Sequence, residues 1–315
     1  MTKPADRWGI VSTIKAPGAQ ILNFAAYHLE AGAHRLFIYL DAPCPEVRHL
    51  LKAHPKIRVV DCDDPSWQQR RKGGKPAKHQ QRQTLNATRA YRRQSDDLEW
   101  LTHIDVDEFL WADKSIAQIL AELPQTTLNA RARPIEALAG AGSAFKGFIS
   151  GSERKNIVGR VYPQYGEYLK GGFLSHVQGK IFVRTGLPDL SFRIHNIYQG
   201  KDENPGGQEL PEVDLCHFHA HNWDQWLSQY RYRLKQGSYR AELEPAWSRE
   251  TGGITKHELL SEIEASEGTS GLRAFFDEVC KDSPKLRRKL EAEGLLRLRD
   301  LRIEEARQKH FPKFG

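Results

Sequence analysis

The 315-residue chain has no uninterrupted apolar run of roughly 18 residues, so a membrane-spanning helix is excluded. The opening residues, Met1-Thr2-Lys3-Pro4-Ala5-Asp6-Arg7, lack an apolar stretch, and a signal peptide is not expected. Cysteine is scarce: Cys44, Cys62, Cys216 and Cys280 are far apart and never spaced Cys-x-x-Cys. That pattern argues against a zinc ribbon and a disulfide scaffold, and makes a reducing cytoplasm the expected compartment. No internal repeat or low-complexity tract is present. One long stretch, from Gln68 to Gln94, has no acidic residue at all.

What is there is globular in composition, with 39% hydrophobic and 28% charged residues. The length suits one large domain or two modest ones. A net charge of +7 points to a polyanionic partner, a nucleotide-linked substrate or an anionic membrane surface, without choosing among them.

The first 110 residues alternate strand and helix signals. Strands are predicted at Trp8–Ile14, Arg35–Leu40, Ile57–Cys62 and Trp100–Ile104. Helices are predicted at Ala19–Ala31, Pro45–Ala53 and Lys75–Gln94. This order implies a mostly parallel sheet with helices on both faces, and ligands outside the carboxyl ends of its strands. Those ends carry Lys15, Asp41, Asp61, Asp63, Asp105 and Asp107. Further on, short strands are expected at Gly159–Tyr162, Gly179–Arg184, Phe192–Ile197 and Val213–His219. Helices follow at Ser270–Cys280 and Pro284–His310. The expected boundary separates a domain spanning 1–237 from a helical region spanning 238–315.

Three constellations carry chemistry. In Trp100–Leu110 an apolar strand delivers Asp105-Val106-Asp107-Glu108-Phe109 at its end. Two carboxylates so placed suit a hard divalent cation that also takes substrate phosphate oxygens; a solvated acidic turn is the plain alternative. In Cys216–His221, His217, His219 and His221 alternate as on one face of a strand, where neutral imidazoles bind a metal. The plain alternative is that they cap the strand and pack on Trp223 and Trp226. The third is the basic segment with Arg70, Arg71, Lys72, Lys75, Lys78, Arg82, Arg89, Arg92 and Arg93, which suits a pyrophosphate or simply a solvated helix face. Only Trp67 and Tyr91 lie nearby, so stacking on nucleic-acid bases is not favoured.

Ile10–Asp41 resembles the opening of a bacterial family 2-like glycosyltransferase group with the GT-A fold, related to the family 92 galactan-synthase-like group. Leu22-Asn23-Phe24 leads into Tyr27-His28-x-x-x-Gly32 in a similar pattern, and Asp105–Phe109 looks like that group's Asp-x-Asp-Glu-Phe motif. Gln80–Asn86 is similar to its Gln-containing helix. The resemblance covers roughly the first third of the chain. It implies an α/β GT-A nucleotide-diphospho-sugar transferase fold, a Rossmann-like mixed sheet with a C-terminal helical extension. It implies an inverting transfer from a nucleotide-sugar donor to a glycan or lipid-linked acceptor, with Mn2+ or Mg2+ as cofactor. Lys15, Asp41, Asp63, Lys78, Gln80 and Asp105 are then substrate-binding candidates, and Asp105, Asp107 and His219 metal ligands. Asp189, Asp202, Glu203, Glu212 and Asp214 are the candidate general bases. Lys15-Ala16-Pro17 replaces the group's usual Asn-Glu pair after the first strand, which leaves the nucleobase open.

Two other readings compete. A metal-dependent hydrolase would combine Asp105 and Asp107 with the three histidines. A nucleic-acid-binding module would use the basic helix. The segment Lys281–Gly315 carries eleven basic and six acidic residues. It reads as a helix packed on the transferase domain, or as a peripheral contact with an anionic inner membrane face in which Phe311 and Phe314 add an apolar anchor.

Overall fold

The computed structural model describes residues 6–314; the first five residues of the N-terminal stretch, and Gly315, lie outside it. In chain order the elements are β1 (Trp8–Ile14), α1 (Gly18–Glu30), β2 (Arg35–Leu40), α2 (Pro45–Ala53), β3 (Ile57–Asp61), α3 (Asp64–Arg70), α4 (His79–Gln94), β4 (Trp100–His103), β5 (Glu108–Trp111), α5 (Ile116–Glu122) and β6 (Asn129–Ala137). They continue with β7 (Ala144–Lys146), α6 (Arg154–Val161), β8 (Lys180–Arg184), β9 (Leu190–Phe192), β10 (Ile197–Gln199), β11 (Asp202–Glu203) and β12 (Gly207–His217). The last are α7 (Trp223–Lys235), α8 (Lys256–Val279), α9 (Pro284–Ala292), β13 (Leu296–Leu298) and α10 (Ile303–His310). Among the described residues, no helix is long and apolar enough to cross a membrane.

The chain divides into two units. The first takes residues 1–133, 178–215 and 301–315; the second takes 134–177 and 216–300. The boundary expected between 237 and 238 falls inside the second unit, because the chain leaves the first unit and returns to it twice.

The first unit is α/β with a mixed sheet. β4, β1, β2 and β3 lie side by side and parallel. β8 adds antiparallel to β4, and residues 129–132 of β6 add antiparallel to β8. All seven residues of β1 are buried, as an interior parallel strand requires. The apolar stripe of α1 (Ile21, Leu22, Ala25, Leu29) and α2 (Val47, Leu51) joins Trp8, Ile10, Leu36 and Ile38 in one core. The opposite face of the sheet, with Val11, Phe37, Tyr39 and Leu101, packs under Ala87, Ala90 and Tyr91 of α4. β9, β10 and β11 form a separate small antiparallel sheet. α10 closes the unit against α1, where Lys309 and His310 both reach the Glu30 carboxylate.

The second unit has a helical core. Trp226 and Tyr230 of α7 meet Leu260, Leu272 and Phe275 of α8, with Leu286 and Leu290 of α9. A short antiparallel ladder joins the end of β6, β7 and β13. Beneath it lies a buried ion pair, Glu136 with Lys146 at 3.0 Å. Burial would raise the Glu136 pKa, but Lys146 and the backbone N–H groups of Leu174 and Ser175 bring it down to about 2.

Four expectations need correction. Gly159–Tyr162 is not a strand but falls mostly within α6, because Val158 and Val161 repeat at helical spacing and bury together. Phe192–Ile197 is a turn between β9 and β10, closed by the Arg193 N–H on the Asn196 carbonyl at 2.7 Å. Pro284–His310 is not one helix: Gly294 takes a left-handed φ of 65°, and β13 intervenes before α10. Phe311 is buried in the first core against His54, so it is not available as a membrane anchor.

The buried pair generates a stability test. Lys146→Met strands the Glu136 carboxylate in the interior and should cost about 3–5 kcal/mol. Adding Glu136→Leu to that variant should recover much of the loss. Urea unfolding of the three proteins measures both changes.

Candidate functional site

The first unit concentrates its polar side chains where the parallel strands end. α4 organises them. It starts at His79, four residues later than the polar helix expected over Lys75–Gln94, and its first half carries Arg82, Gln83 and Asn86.

Arg82 grips Asp41, just past β2. Its Nε lies 2.8 and 2.9 Å from the two carboxylate oxygens, and its Nη2 lies 2.6 Å from Oδ2. His79 Nδ1 is 2.9 Å from the same carboxylate, and Lys75 Nζ is 3.7 Å away. Burial of Asp41 would raise its pKa; His79 and Arg82 more than reverse this and hold it at about 2. Arg82 Nη1 also donates to the Pro76 and Ala77 carbonyls, both at 2.8 Å, so one guanidinium ties the preceding loop to the strand end.

Gln83 donates to Asp105 Oδ1, past the end of β4. Asn86 donates to Thr13 Oγ1 on β1 at 3.1 Å and to Cys62 Sγ after β3 at 3.6 Å. Asp105 has a further partner that is cationic, Lys180 of β8, whose Nζ lies 2.7 Å from Oδ2 and 3.4 Å from the Glu108 carboxylate. Burial alone would lower the Lys180 pKa; Asp105 and Glu108 raise it, so the ammonium is kept charged.

Asp105 and Asp107 sit in a turn, not on the strand itself, since β4 ends at His103. Two bonds close that turn: the Asp105 N–H donates to Glu108 Oε2 at 2.7 Å, and the Glu108 N–H donates to the Asp105 carbonyl at 3.1 Å. Both aspartates are half-buried. Just before the turn, the His103 imidazole is buried with no hydrogen-bond partner among the described residues; burial pushes its pKa down to about 3.

The two sequence segments noted above meet physically. Tyr27 donates to the Leu110 carbonyl at 2.9 Å, and His28 Nε2 accepts from the Leu110 N–H at 3.3 Å. The His28 ring stacks on Phe109, with planes 9° apart. His28 Nδ1 lies 2.8 Å from the Phe24 carbonyl, which assigns the proton to Nδ1. Burial keeps this histidine neutral, its pKa down near 3. So α1 anchors the strand that follows the acidic turn.

Other residues singled out in the sequence lie elsewhere. Asp63 caps α3, its carboxylate accepting from the Ser66 N–H at 2.9 Å. Lys15, Lys78 and Gln80 are exposed. Gln80 lies in the first turn of α4, one turn short of the strand ends that Gln83 reaches. Asp189, Asp202, Glu203 and Glu212 are exposed, and Asp214 on β12 is half-buried. The three histidines do not share a face. β12 ends at His217, so strand alternation stops there; His221 is exposed and stacks on Phe218. His219 Nε2 is bonded to the Tyr239 hydroxyl at 2.7 Å in the buried interior of the second unit.

Gln83 lies within the Gln-containing helix pattern, where Gln80 is the residue singled out; Lys180 and His176 carry no motif. Lys180 was hidden in a strand pattern. His176 follows the turn that Glu136 holds, and its ring lies 5.0 Å from that of His217, with ligating nitrogens within 4.8 Å of one another. Two imidazoles so spaced suit a transition-metal ion.

The Asp41 cluster gives a direct test. A carboxylate held at about 2, below its ordinary 3.8, contributes stability above pH 3.8 that is lost as the pH falls toward 2. Arg82→Leu should raise the Asp41 pKa, destabilise the protein by about 3 kcal/mol at neutral pH, and move acid unfolding to higher pH. NMR titration of Asp41 and pH-dependent melting check both.

No family model and no curated protein matches the chain. Among solved structures, it has a likeness to HddC from Yersinia pseudotuberculosis, at 8% identity and a TM-score of 0.31. That alignment covers 57% of this chain and 76% of HddC, and a likeness so low carries no argument.

Proposed function

We propose that the protein is a metal-dependent glycosyltransferase of GT-A type, acting on a nucleotide-diphosphate sugar. The observation that carries this reading is the gathering of Asp41, Asp105 and the acidic turn at the carboxyl edge of four parallel strands, where α/β sheets bind ligands. The two aspartates of the turn suit a hard divalent cation: half-buried carboxylates, with a lysine already balancing one of them. When bound, Mn2+ or Mg2+ would neutralise the charge that builds on a leaving nucleoside diphosphate. Asp107 would hold it. Asp105, engaged by Gln83 and Lys180, would fix the turn that presents Asp107. Asp41, its carboxylate buried and taken by Arg82 and His79, would hold the loop before α4 at the strand end instead of meeting the donor. Of the acids read as general bases, Asp214 is the one withdrawn from full exposure, and it is the one this reading retains.

The hydrolase alternative is weakened, because its three histidines are not assembled. It predicts phosphate or ester turnover without an acceptor.

The test is thermal stabilisation by nucleotide sugars with and without manganese. The native protein should be stabilised by one donor only when manganese is present. Asp107→Asn should remove that stabilisation and lower transfer by about 100-fold or more. Manganese-dependent donor binding that survives in Asp107→Asn would refute the assignment.

A further inference from the structure

The interior of the second unit holds more positive than negative charge. Arg233 on α7 is only 8% exposed. Its Nη2 donates to the His219 carbonyl at 2.7 Å and to Gln229 Oε1 at 2.6 Å. Its Nη1 is buried and has no hydrogen-bond partner among the described residues. Lys256, half-buried, opens α8 and donates to the Leu174 carbonyl at 2.6 Å. Both cations lie against one ring: the Arg233 guanidinium carbon is 5.8 Å and Lys256 Nζ 5.7 Å from the centroid of Tyr239.

Among the described residues, neither cation is in ion-pair contact with a carboxylate, and the one that acts on Lys256, Glu136, is already engaged. Glu136 is matched by Lys146, whose three protons go to Glu136 and to the carbonyls of Gly172 and Val279, each of these two at 2.8 Å. The Tyr239 hydroxyl is taken by Trp226 Nε1 at 3.0 Å and by His219. Lys256 also occupies the first turn of a helix, where the backbone dipole opposes a cation. Desolvation by the surrounding chain brings the Lys256 pKa down to about 8; Glu136 opposes this, and Lys146, Lys170 and Arg233 offset Glu136. Buried cations with no carboxylate in direct contact are disfavoured, and an anion entering beside the part-open Lys256 relieves them.

We propose that Arg233 and Lys256 form a binding site for a phosphate group in the second unit, separate from the strand-end carboxylates. The planar guanidinium fork offers directed N–H groups and the ammonium a point charge, a pair that suits the several oxygens of a phosphate. The source is free phosphate or the phosphate of a larger ligand, such as a sugar phosphate.

Calorimetric titration of the full chain with inorganic phosphate tests the site. Phosphate should bind saturably, and Arg233→Gln and Lys256→Met should each weaken it by about tenfold or more. Without phosphate, Lys256→Met should melt no lower than the native protein, since it removes a desolvated charge repelled by Lys146, Lys170 and Arg233; this keeps the test valid if Arg233→Gln folds poorly. A glucose 6-phosphate arm and a uridine diphosphate arm, run in competition, show whether the site takes the phosphate of a larger ligand. Asp107→Asn should bind phosphate as the native protein does, so failure of the donor reading leaves this site standing. Absence of saturable binding, or unchanged binding in both variants, overturns the proposal.

Discussion

Helix α4 holds the strand ends of the first unit in register with one another. Through three neighbouring side chains it touches the ends of four parallel strands: Arg82 at Asp41 after β2, Gln83 at Asp105 after β4, and Asn86 at Thr13 of β1 and Cys62 after β3. Two of these contacts involve carboxylates, and hydrogen bonds to charged groups contribute about 1.5–3 kcal/mol each. The backbone at a strand end has no further ladder to fix it. Side chains from a rigid helix supply that constraint, and the placing of the acidic turn follows from it.

The same helix explains where much of the basic charge goes. The run from Gln68 to Gln94 looked like a surface for a polyanion. Several of its arginines are spent inside the unit instead. Arg70 stacks on Trp67 and bonds to Asn86, Arg71 reaches the Gly74 carbonyl, and Arg92 reaches the Leu190 carbonyl. Arg82 is consumed by Asp41 and the loop before α4. Charge counted along the chain therefore overstates the charge open to a partner. Lys72 and Lys78 remain exposed.

The resemblance noted in the first third of the chain has a physical content of its own. Phe24, Tyr27 and His28 on α1 and Phe109 and Leu110 on β5 form one interlocked group, some 80 residues apart in sequence. The buried histidine must be neutral, must donate from Nδ1 and must accept at Nε2. Few side chains can satisfy a carbonyl and an N–H at once in an apolar setting. That requirement links the two segments whatever chemistry the turn performs.

The sequence by itself determined the local elements. Trp8–Ile14, Arg35–Leu40 and Pro45–Ala53 are strands and a helix with the bounds their apolar patterns predict, because such a pattern buries one face almost regardless of its partner. It also marked Asp41, Asp105 and Asp107 as strand-end carboxylates. Only the tertiary structure decided that Gln83 rather than Gln80 meets Asp105, and that Lys180, 75 residues away, balances it. It decided that the histidine alternation stops where β12 ends, and that Arg233 and Lys256 share one ring. Local periodicity records which face of an element is buried. It does not record which distant side chain arrives there, and the charge, protonation and hydrogen bonding of a site depend on that arrival.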